Sequence, residues 1–182
     1  MNAEDAALVE RCRCGDRHAV QALVDRYQRP VFNAAYRILG NREDAADATQ
    51  TAFMKVFENL ESYDAQYKLF SWIYRIVVNE SISQFQRNGA SRALTYNEES
   101  WGGDDELERQ VDSAVLSRRT QASLMALPEE YRVVLVLRHF SECSYEQIGE
   151  ILELPEKTIK SRIYIARQQL KKLLVANGVN WE

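Results

Sequence analysis

The basic side chains of this 182-residue chain are concentrated in one C-terminal segment. Six lysines and arginines lie between Glu156 and Lys172 with one acidic residue, although the whole chain has a net charge of −4. A helix here would carry Ile159 and Ile163 on one side and polar or basic residues on the other. Lysine and arginine neutralise phosphates, while serine and glutamine bond to base edges. Spacing alone leaves two interpretations: a DNA-binding helix, or a basic solvated face on a helical bundle.

The residues before this segment indicate a helix-turn-helix. Ser144 followed by Gln147 is a capping-box pattern, which predicts a short helix from Tyr145 to Leu152. After a turn at residues 153–155, a longer helix is predicted from Glu156 to about Leu174, a spacing that lets the second helix enter a major groove. The polar side of that helix consists of Lys157, Lys160, Ser161, Tyr164, Arg167 and Gln168.

A second polar stripe lies on the helix predicted from Leu69 to Arg87. Its members are Arg75, Asn79, Ser83 and Gln86. A base that leaves a duplex needs a ring to stack on and polar groups at its edge. Tyr63, in the loop before the helix, supplies a ring, and Asn79 and Ser83 supply edge partners. Trp72 has inward spacing and is predicted to be core.

Metal binding and catalysis have little support in the residues. Cys12, Cys14 and His18 supply three ligands, fewer than a structural zinc site needs, and on one helix the two thiols point about 200° apart. We therefore predict core or surface thiols and no cofactor. No Ser/His/Asp set, phosphate loop or catalytic carboxylate pair stands out, so the chain is not expected to be an enzyme.

The secondary structure that holds these residues is predicted to be helical along the whole chain. With 7 Gly and 3 Pro, the chain has long stretches without helix breakers. Pro30 either starts a new helix or kinks the one before it. The apolar spacing predicts helices over residues 3–14, 16–27, 31–40, 41–60, 69–87, 115–126, 131–140, 145–152 and 156–174.

We predict an all-α fold with two small domains, residues 1–90 and 114–182. The flexible linker between them, residues 91–113, is acidic: residues 91–117 have a net charge of −5. The chain's acidity therefore does not argue against DNA binding by the C-terminal domain. No apolar run approaches a membrane span and no signal pattern begins the chain, so a cytoplasmic protein is expected.

Three segments of the C-terminal half are residues 127–132 (LPEEYR), 144–149 (SYEQIG) and 154–163 (LPEKTIKSRI). In this order they resemble the C-terminal sigma-4 domain of bacterial extracytoplasmic-function (ECF) sigma factors, which give RNA polymerase its promoter specificity. In that family the helix-turn-helix of this domain reads the −35 element. Residues 39–50 (LGNREDAADATQ) resemble the sigma-2 segment that docks on the β′ clamp helices of the polymerase. Residues 70–79 (FSWIYRIVVN) resemble the helix that reads and melts the −10 element. The resemblance covers about residues 5–174.

This resemblance implies roles for three sets of residues. Polymerase binding is implied for Asp47, Gln50, Thr51 and Met54. Binding of −10 DNA is implied for Tyr63, Asp64, Arg75, Asn79, Ser83 and Gln86. Binding of −35 DNA is implied for Lys157, Thr158, Lys160, Ser161, Arg162, Tyr164, Arg167 and Gln168. Ile165 stands where the family often has arginine.

The resemblance also implies partners. They are core RNA polymerase (the β′ clamp helices and the β flap), promoter DNA and an anti-sigma factor, either free or membrane-anchored, in a stress or envelope response. A further hypothesis is that the linker, with Asp104, Asp105 and Glu106, occupies the basic nucleic-acid path of the polymerase until RNA displaces it. The alternative is a free-standing helix-turn-helix regulator, which would bind DNA without polymerase, typically at a palindrome.

Overall fold

The computed structural model describes residues 3–88 and 118–178, and every regular element in these ranges is helical. The predicted linker, with Asp104, Asp105 and Glu106, lies outside the described residues. The first range contains α1 (Ala3–Arg13), α2 (Arg17–Leu39), α3 (Arg42–Glu58), a 3₁₀ turn (Leu60–Ser62) and α4 (Leu69–Asn88). The second contains α5 (described over residues 118–125), α6 (Glu129–His139), α7 (Tyr145–Leu152) and α8 (Glu156–Ala176). The predicted all-α class is confirmed, and none of the described helices has the length and apolarity needed to cross a membrane.

The helix ends of the first domain follow from local side-chain chemistry. Asp16 caps α2 by accepting hydrogen bonds from the backbone N–H groups of His18 and Ala19. Gly40 ends this helix in the left-handed region, with φ of 72°, where glycine has no Cβ to strain. Asn41 then caps α3 by accepting from Asp44 N at 2.9 Å. Pro30 does not start a new helix, because α2 continues through it from Arg17 to Leu39.

The first domain packs α2, α3 and α4 around one apolar core. The predicted apolar face of α3 is buried, with Ala45, Ala48, Ala52 and Val56 fully enclosed. Alanine has a short side chain, so α3 lies close against its two neighbours. The opposite face of α3 is left exposed for other partners.

The second domain forms the predicted helix-turn-helix. The capping box is present in full: Ser144 accepts from Gln147 N, and the Gln147 side chain accepts from Ser144 N. The turn after α7 is tight, since a Cβ at Gly149 would lie 2.9 Å from the Leu154 carbonyl oxygen. Glu153 takes the left-handed conformation there, with φ of 54°. This turn sets α8 across α7 with Ile159 and Ile163 facing inward.

The two domains lie against each other, which the sequence did not indicate. α2 contacts α6, and α4 contacts α7. Arg132 of α6 is 2% exposed and donates to the Ile38 carbonyl oxygen at 2.7 Å, at the carboxyl end of α2. Its guanidinium also lies 4.3 Å from the ring centroid of Phe85 in α4. Arg132 therefore joins the domains through contacts with two helices of the first.

Candidate nucleic-acid interface

The outer face of α8 is exposed as a continuous polar and basic surface. Lys157, Ser161, Tyr164 and Gln168 all face solvent, and Tyr164 is 68% exposed. Ile159, Ile163 and Ala166 hold the opposite face in the core, so the orientation of α8 is determined by its apolar stripe. The face therefore presents donors and cations to any ligand that approaches the second domain.

Two basic residues of this face have neighbours that orient them. Lys160 is exposed and forms an ion pair with Glu156 at 2.6 Å. Arg167 Nε donates to His139 Nε2 at 3.3 Å. Burial, then the charges of Arg167 and Arg138, lower the pKa of His139, so its neutral ring can accept this bond. The guanidinium of Arg167 is therefore positioned by α6 while remaining exposed.

Two of the predicted α8 residues are less exposed than the others. Arg162 is half-buried and forms an ion pair with Glu130 of α6 at 3.0 Å, so it holds α8 to its own domain. Thr158 is half-buried in the first turn of α8. Ile165, which follows Tyr164 on α8, is 36% exposed. The exposed surface of α8 therefore contains fewer residues than the set predicted to bind −35 DNA.

A cavity of about 340 Å³ opens between α3, the 3₁₀ turn and α4. Trp72 and Ile76 form its apolar wall, so Trp72 packs on the core with one part and lines the cavity with another. Two predicted residues, Asn79 and Ser83, lie on its polar side. The remaining lining residues are Lys55, Asn59, Ser62 and Glu80. Trp72, Asn79 and Ser83 lie along the same face of α4, so one surface of the cavity offers an aromatic ring followed by amide and hydroxyl groups, which suits a planar polar ligand.

Tyr63 does not have the exposed ring that the sequence predicted. It is 7% exposed, its ring centroid lies 5.2 Å from that of Trp72, and its hydroxyl donates to the Tyr67 carbonyl at 2.7 Å. Burial raises the pKa of the Tyr63 phenol. The exposed ring of this loop belongs to Tyr67, at 55%, next to the exposed Asp64. Tyr63 therefore supports the cavity wall, and Tyr67 is the ring open to a ligand.

Arg13 of α1 binds the backbone of the loop that contains Tyr63, a contact that the sequence did not predict. Its guanidinium donates to the Leu60 carbonyl at 3.0 Å and to the Tyr63 carbonyl at 2.9 Å. These bonds tie α1 to the 3₁₀ turn across 47 and 50 residues of sequence. No local pattern marks such a bond, because only the packing of α1 brings the groups together.

Two further predicted residues of α4 face the second domain. Arg75 forms an ion pair with Glu153 at 2.9 Å and donates to the Glu150 carbonyl. Gln86 donates to Glu129 at 3.3 Å. The polar stripe of α4 therefore serves two surfaces, with Asn79 and Ser83 at the cavity and the other two at the domain contact.

A buried carboxylate, Glu80, connects α3 and α4 beside the cavity. It is 6% exposed and accepts from Lys55 on one oxygen and from Arg87 Nη2 on the other, at 3.0 Å. The hydrogen bond from Lys55, followed by that from Arg87, lowers the pKa of Glu80, so the carboxylate is ionised at neutral pH. The sequence analysis did not identify Glu80, because its partner Lys55 lies 25 residues away in the chain.

The predicted docking residues share the exposed face of α3. Asp47, Gln50 and Met54 face solvent, and Met54 is 57% exposed. Thr51 is half-buried beside them. An acidic group, an amide and an exposed methionine on one helix face form a surface typical of protein contacts.

The cysteines do not form a site in the described ranges. Cys12 is buried and Cys14 is exposed, consistent with thiols on different sides of α1. Burial raises the pKa of Cys143 to about 12, which keeps it a neutral thiol. In residues 3–88 and 118–178, no three His, Cys, Asp or Glu side chains group as metal ligands.

Comparison with known families defines the class of protein. The family model for Sigma-70 region 2 matches residues 23–91, which include α3, the cavity and α4. The model for Sigma-70 region 4 matches residues 117–170, which include the helix-turn-helix. Both models describe sigma factors, and they match in the order of the two domains.

Similar curated proteins define the family more narrowly. The ECF RNA polymerase sigma factor SigW of Bacillus subtilis is 32% identical, over 91% of this chain and 94% of its own. The ECF RNA polymerase sigma-E factor of Escherichia coli K12 is 33% identical, over 91% and 92%. The RNA polymerase sigma-H factor of Pseudomonas aeruginosa is 30% identical, over 94% of each. This chain belongs to the ECF sigma factor family, whose members direct RNA polymerase to promoters.

Two solved structures share the fold. CnrH in complex with the cytosolic domain of CnrY aligns with a TM-score of 0.71 at 22% identity, covering 93% of this chain and 96% of that one. The sigma factor RpoE in complex with the anti-sigma factor NepR, from Bartonella quintana, aligns with a TM-score of 0.66 at 23% identity, over 85% and 95%. The arrangement of helices is thus that of known sigma factors.

Proposed function

We propose that this sigma factor uses three surfaces: the exposed face of α3 to dock on polymerase, the cavity beside α4 to hold a −10 base, and the outer face of α8 to read the −35 element. The observation that carries the proposal is the cavity, which Trp72, Asn79 and Ser83 line together along one face of α4. The polymerase performs the bond-forming chemistry, and the chain acts with it in the cytoplasm.

At the −10 element, the cavity accepts a base that has left the duplex. Trp72 offers an apolar surface to the base, while Asn79 and Ser83 bond to its edge. Tyr67, rather than Tyr63, is the ring available to a neighbouring base, since its side chain is exposed. Asp64 lies in the same loop and bounds this path.

At the −35 element, α8 enters the major groove with its outer face. Ser161 and Gln168 read base edges, and Lys157, Lys160 and Arg167 bond to phosphates. Tyr164 adds an exposed ring that packs on the groove. Thr158 lies at the amino end of the helix, where its hydroxyl and the helix dipole favour a phosphate. Arg162 keeps its ion pair with Glu130 and positions the helix.

The contact between the domains must open for both elements to be bound. Arg75 and Gln86 of α4 are engaged by α6 and α7, so the side of α4 next to the cavity is covered. We expect polymerase binding to α3 to accompany this opening. An anti-sigma factor, such as the one that holds RpoE of Bartonella quintana in its solved complex, would keep the DNA-binding surfaces from the promoter.

Run-off transcription with core polymerase tests the function. We expect promoter-dependent transcripts with wild type and strongly reduced open-complex formation for a double variant, Asn79→Ala with Ser83→Ala. Asn33→Ala, an exposed asparagine of α2 away from the cavity, is the matched control and should behave as wild type. Tight, specific binding to a palindrome without polymerase would support a free-standing regulator instead.

A further inference from the structure

Lys55 and Glu80 line the −10 cavity, and Arg87 bonds to Glu80 beside it, so the three residues form one charged cluster at its rim. The Glu80 carboxylate is enclosed, with its side chain 6% exposed, whereas those of Lys55 and Arg87 are 49% and 66% exposed. Each cation bonds to a different carboxylate oxygen. The cluster thus presents two positive groups to solvent while its negative group lies behind them.

Stability is only a small part of what this arrangement supplies. Ion pairs with exposed cations contribute little to folding, because water screens them. Burying a carboxylate removes it from water, which opposes folding. An apolar residue at position 80 would continue the inward face that Val77 and Ser81 occupy on α4. A buried carboxylate at this point therefore indicates a role for the cations that it holds.

We propose that Glu80 is a positioning and specificity-determining residue of the −10 site, holding Lys55 and Arg87 at the cavity rim and cancelling part of their charge. The inference rests on the proposed function of the cavity. The ligand of the rim is the phosphate backbone of the strand whose base enters the cavity. Lys55 lines the cavity, so a phosphate next to the bound base lies within reach of its ammonium group.

The charge of the cluster explains how specificity would arise. Two cations and one carboxylate leave a net charge of one at the rim. A single positive charge attracts a strand to the cavity but holds it weakly, because it neutralises only one phosphate. The contact also contributes the same energy for every sequence. A strand is then retained when one of its bases also fills the cavity. Without Glu80, the two cations would bind phosphates in any register.

The test compares Glu80→Gln with Glu58→Gln in the holoenzyme. Both variants remove one negative charge, but Glu58 lies exposed at the end of α3 and outside the cavity lining. Binding is measured by fluorescence anisotropy over a series of salt concentrations. The probes are a single-stranded oligonucleotide selected from a random pool by the wild-type holoenzyme and a scrambled oligonucleotide of the same composition.

We expect Glu80→Gln to bind the scrambled strand more tightly, with a slope of log K against log salt steeper by about 0.7, the value for one additional phosphate on a single strand. Its preference for the selected strand should fall about tenfold, as expected when one charged hydrogen-bonding group loses its position. Glu58→Gln should keep the wild-type slope and preference. Equal changes in both variants, or a lower melting temperature of Glu80→Gln with unchanged preference, would overturn the proposal.

A second variant keeps the test valid if Glu80→Gln folds poorly. Arg87→Gln leaves Glu80 paired with Lys55, so both strands should lose affinity equally and the salt slope should become shallower by about 0.7. An unchanged slope would overturn the placement of Arg87 at the strand. A wild-type holoenzyme that selects no strand from the pool would instead refute the proposed function of the cavity, and the role of Glu80 with it.

Discussion

Replacing Arg132 by alanine should open the contact between the two domains. Two interactions of its guanidinium cross that contact: the hydrogen bond to the Ile38 carbonyl at 2.7 Å and the stacking on the Phe85 ring at 4.3 Å. The hydrogen bonds that Arg132 donates to the Met125 and Leu127 carbonyls lie within the second domain. The variant therefore removes two cross-domain interactions and leaves the Ile38 carbonyl without this donor.

The expected size follows from these two interactions. The guanidinium of Arg132 loses hydration in the contact, which lowers its pKa to about 10, and this cost offsets part of the energy of both interactions. The hydrogen bond from a charged donor then contributes about 1.5 kcal/mol, and the cation–ring contact about 0.5 kcal/mol. A loss of about 2 kcal/mol corresponds to an open population larger by about 30-fold.

Single-molecule energy transfer measures this population. One dye is attached to the exposed Cys14 and the other to a Lys171→Cys substitution on α8, while the buried Cys12 and Cys143 react slowly. Arg132→Ala should populate a state of low transfer that wild type rarely visits.

Arg138→Ala is the matched control for this measurement. Arg138 lies on the same helix, donates to the Cys143 carbonyl at 2.8 Å and lies 5.0 Å from the Tyr145 ring centroid, all within the second domain. It should lower the stability of that domain without opening the contact. A wild-type transfer distribution in Arg132→Ala, or equal opening in Arg138→Ala, would refute the reasoning.

Three further predictions concern stability and initiation. Ser144→Ala should destabilise the second domain by about 1 kcal/mol, the usual contribution of a helix cap; Ser144→Thr, which keeps the acceptor, should retain most of it in urea unfolding. Glu80 has a lowered pKa in the folded chain, so its contribution to stability is complete above its ordinary value of 4.5 and is lost as the pH falls through the lower folded value. The melting temperatures of wild type and Glu80→Gln should therefore differ at pH 7 and converge in acid, and a constant difference would contradict this. Neutral residues in place of Asp104, Asp105 and Glu106 should change the ratio of abortive to full-length RNA in transcription assays, and an unchanged ratio would exclude the proposed role of the linker.

The domain contact gives regulation a physical basis. Arg75 serves as an ion-pair partner of Glu153 in the closed arrangement and is a candidate for DNA in the open one. Its two uses exclude each other, because one guanidinium cannot face α7 and a phosphate together. If Arg75 has the proposed role in DNA binding, a partner that favours either arrangement would alter promoter binding without touching the cavity.

The sequence by itself determined the helices and the class of protein. Apolar spacing predicted the helices that became α3 and α8 and the buried side of α8, and a short motif predicted the cap at Ser144, because these features depend on residues within a few positions of each other. The order of the family-like segments also indicated docking, −10 and −35 surfaces before any contact was known.

Only the tertiary structure decided which predicted side chains are free to bind. Tyr63 turned inward, Arg75 was engaged by the second domain, and Glu80 was found between two cations. Lys55 and Glu80 are 25 residues apart, and Arg132 and Ile38 are 94 apart. Contacts at such separations arise from how helices pack, and the period of a single helix contains no information about them.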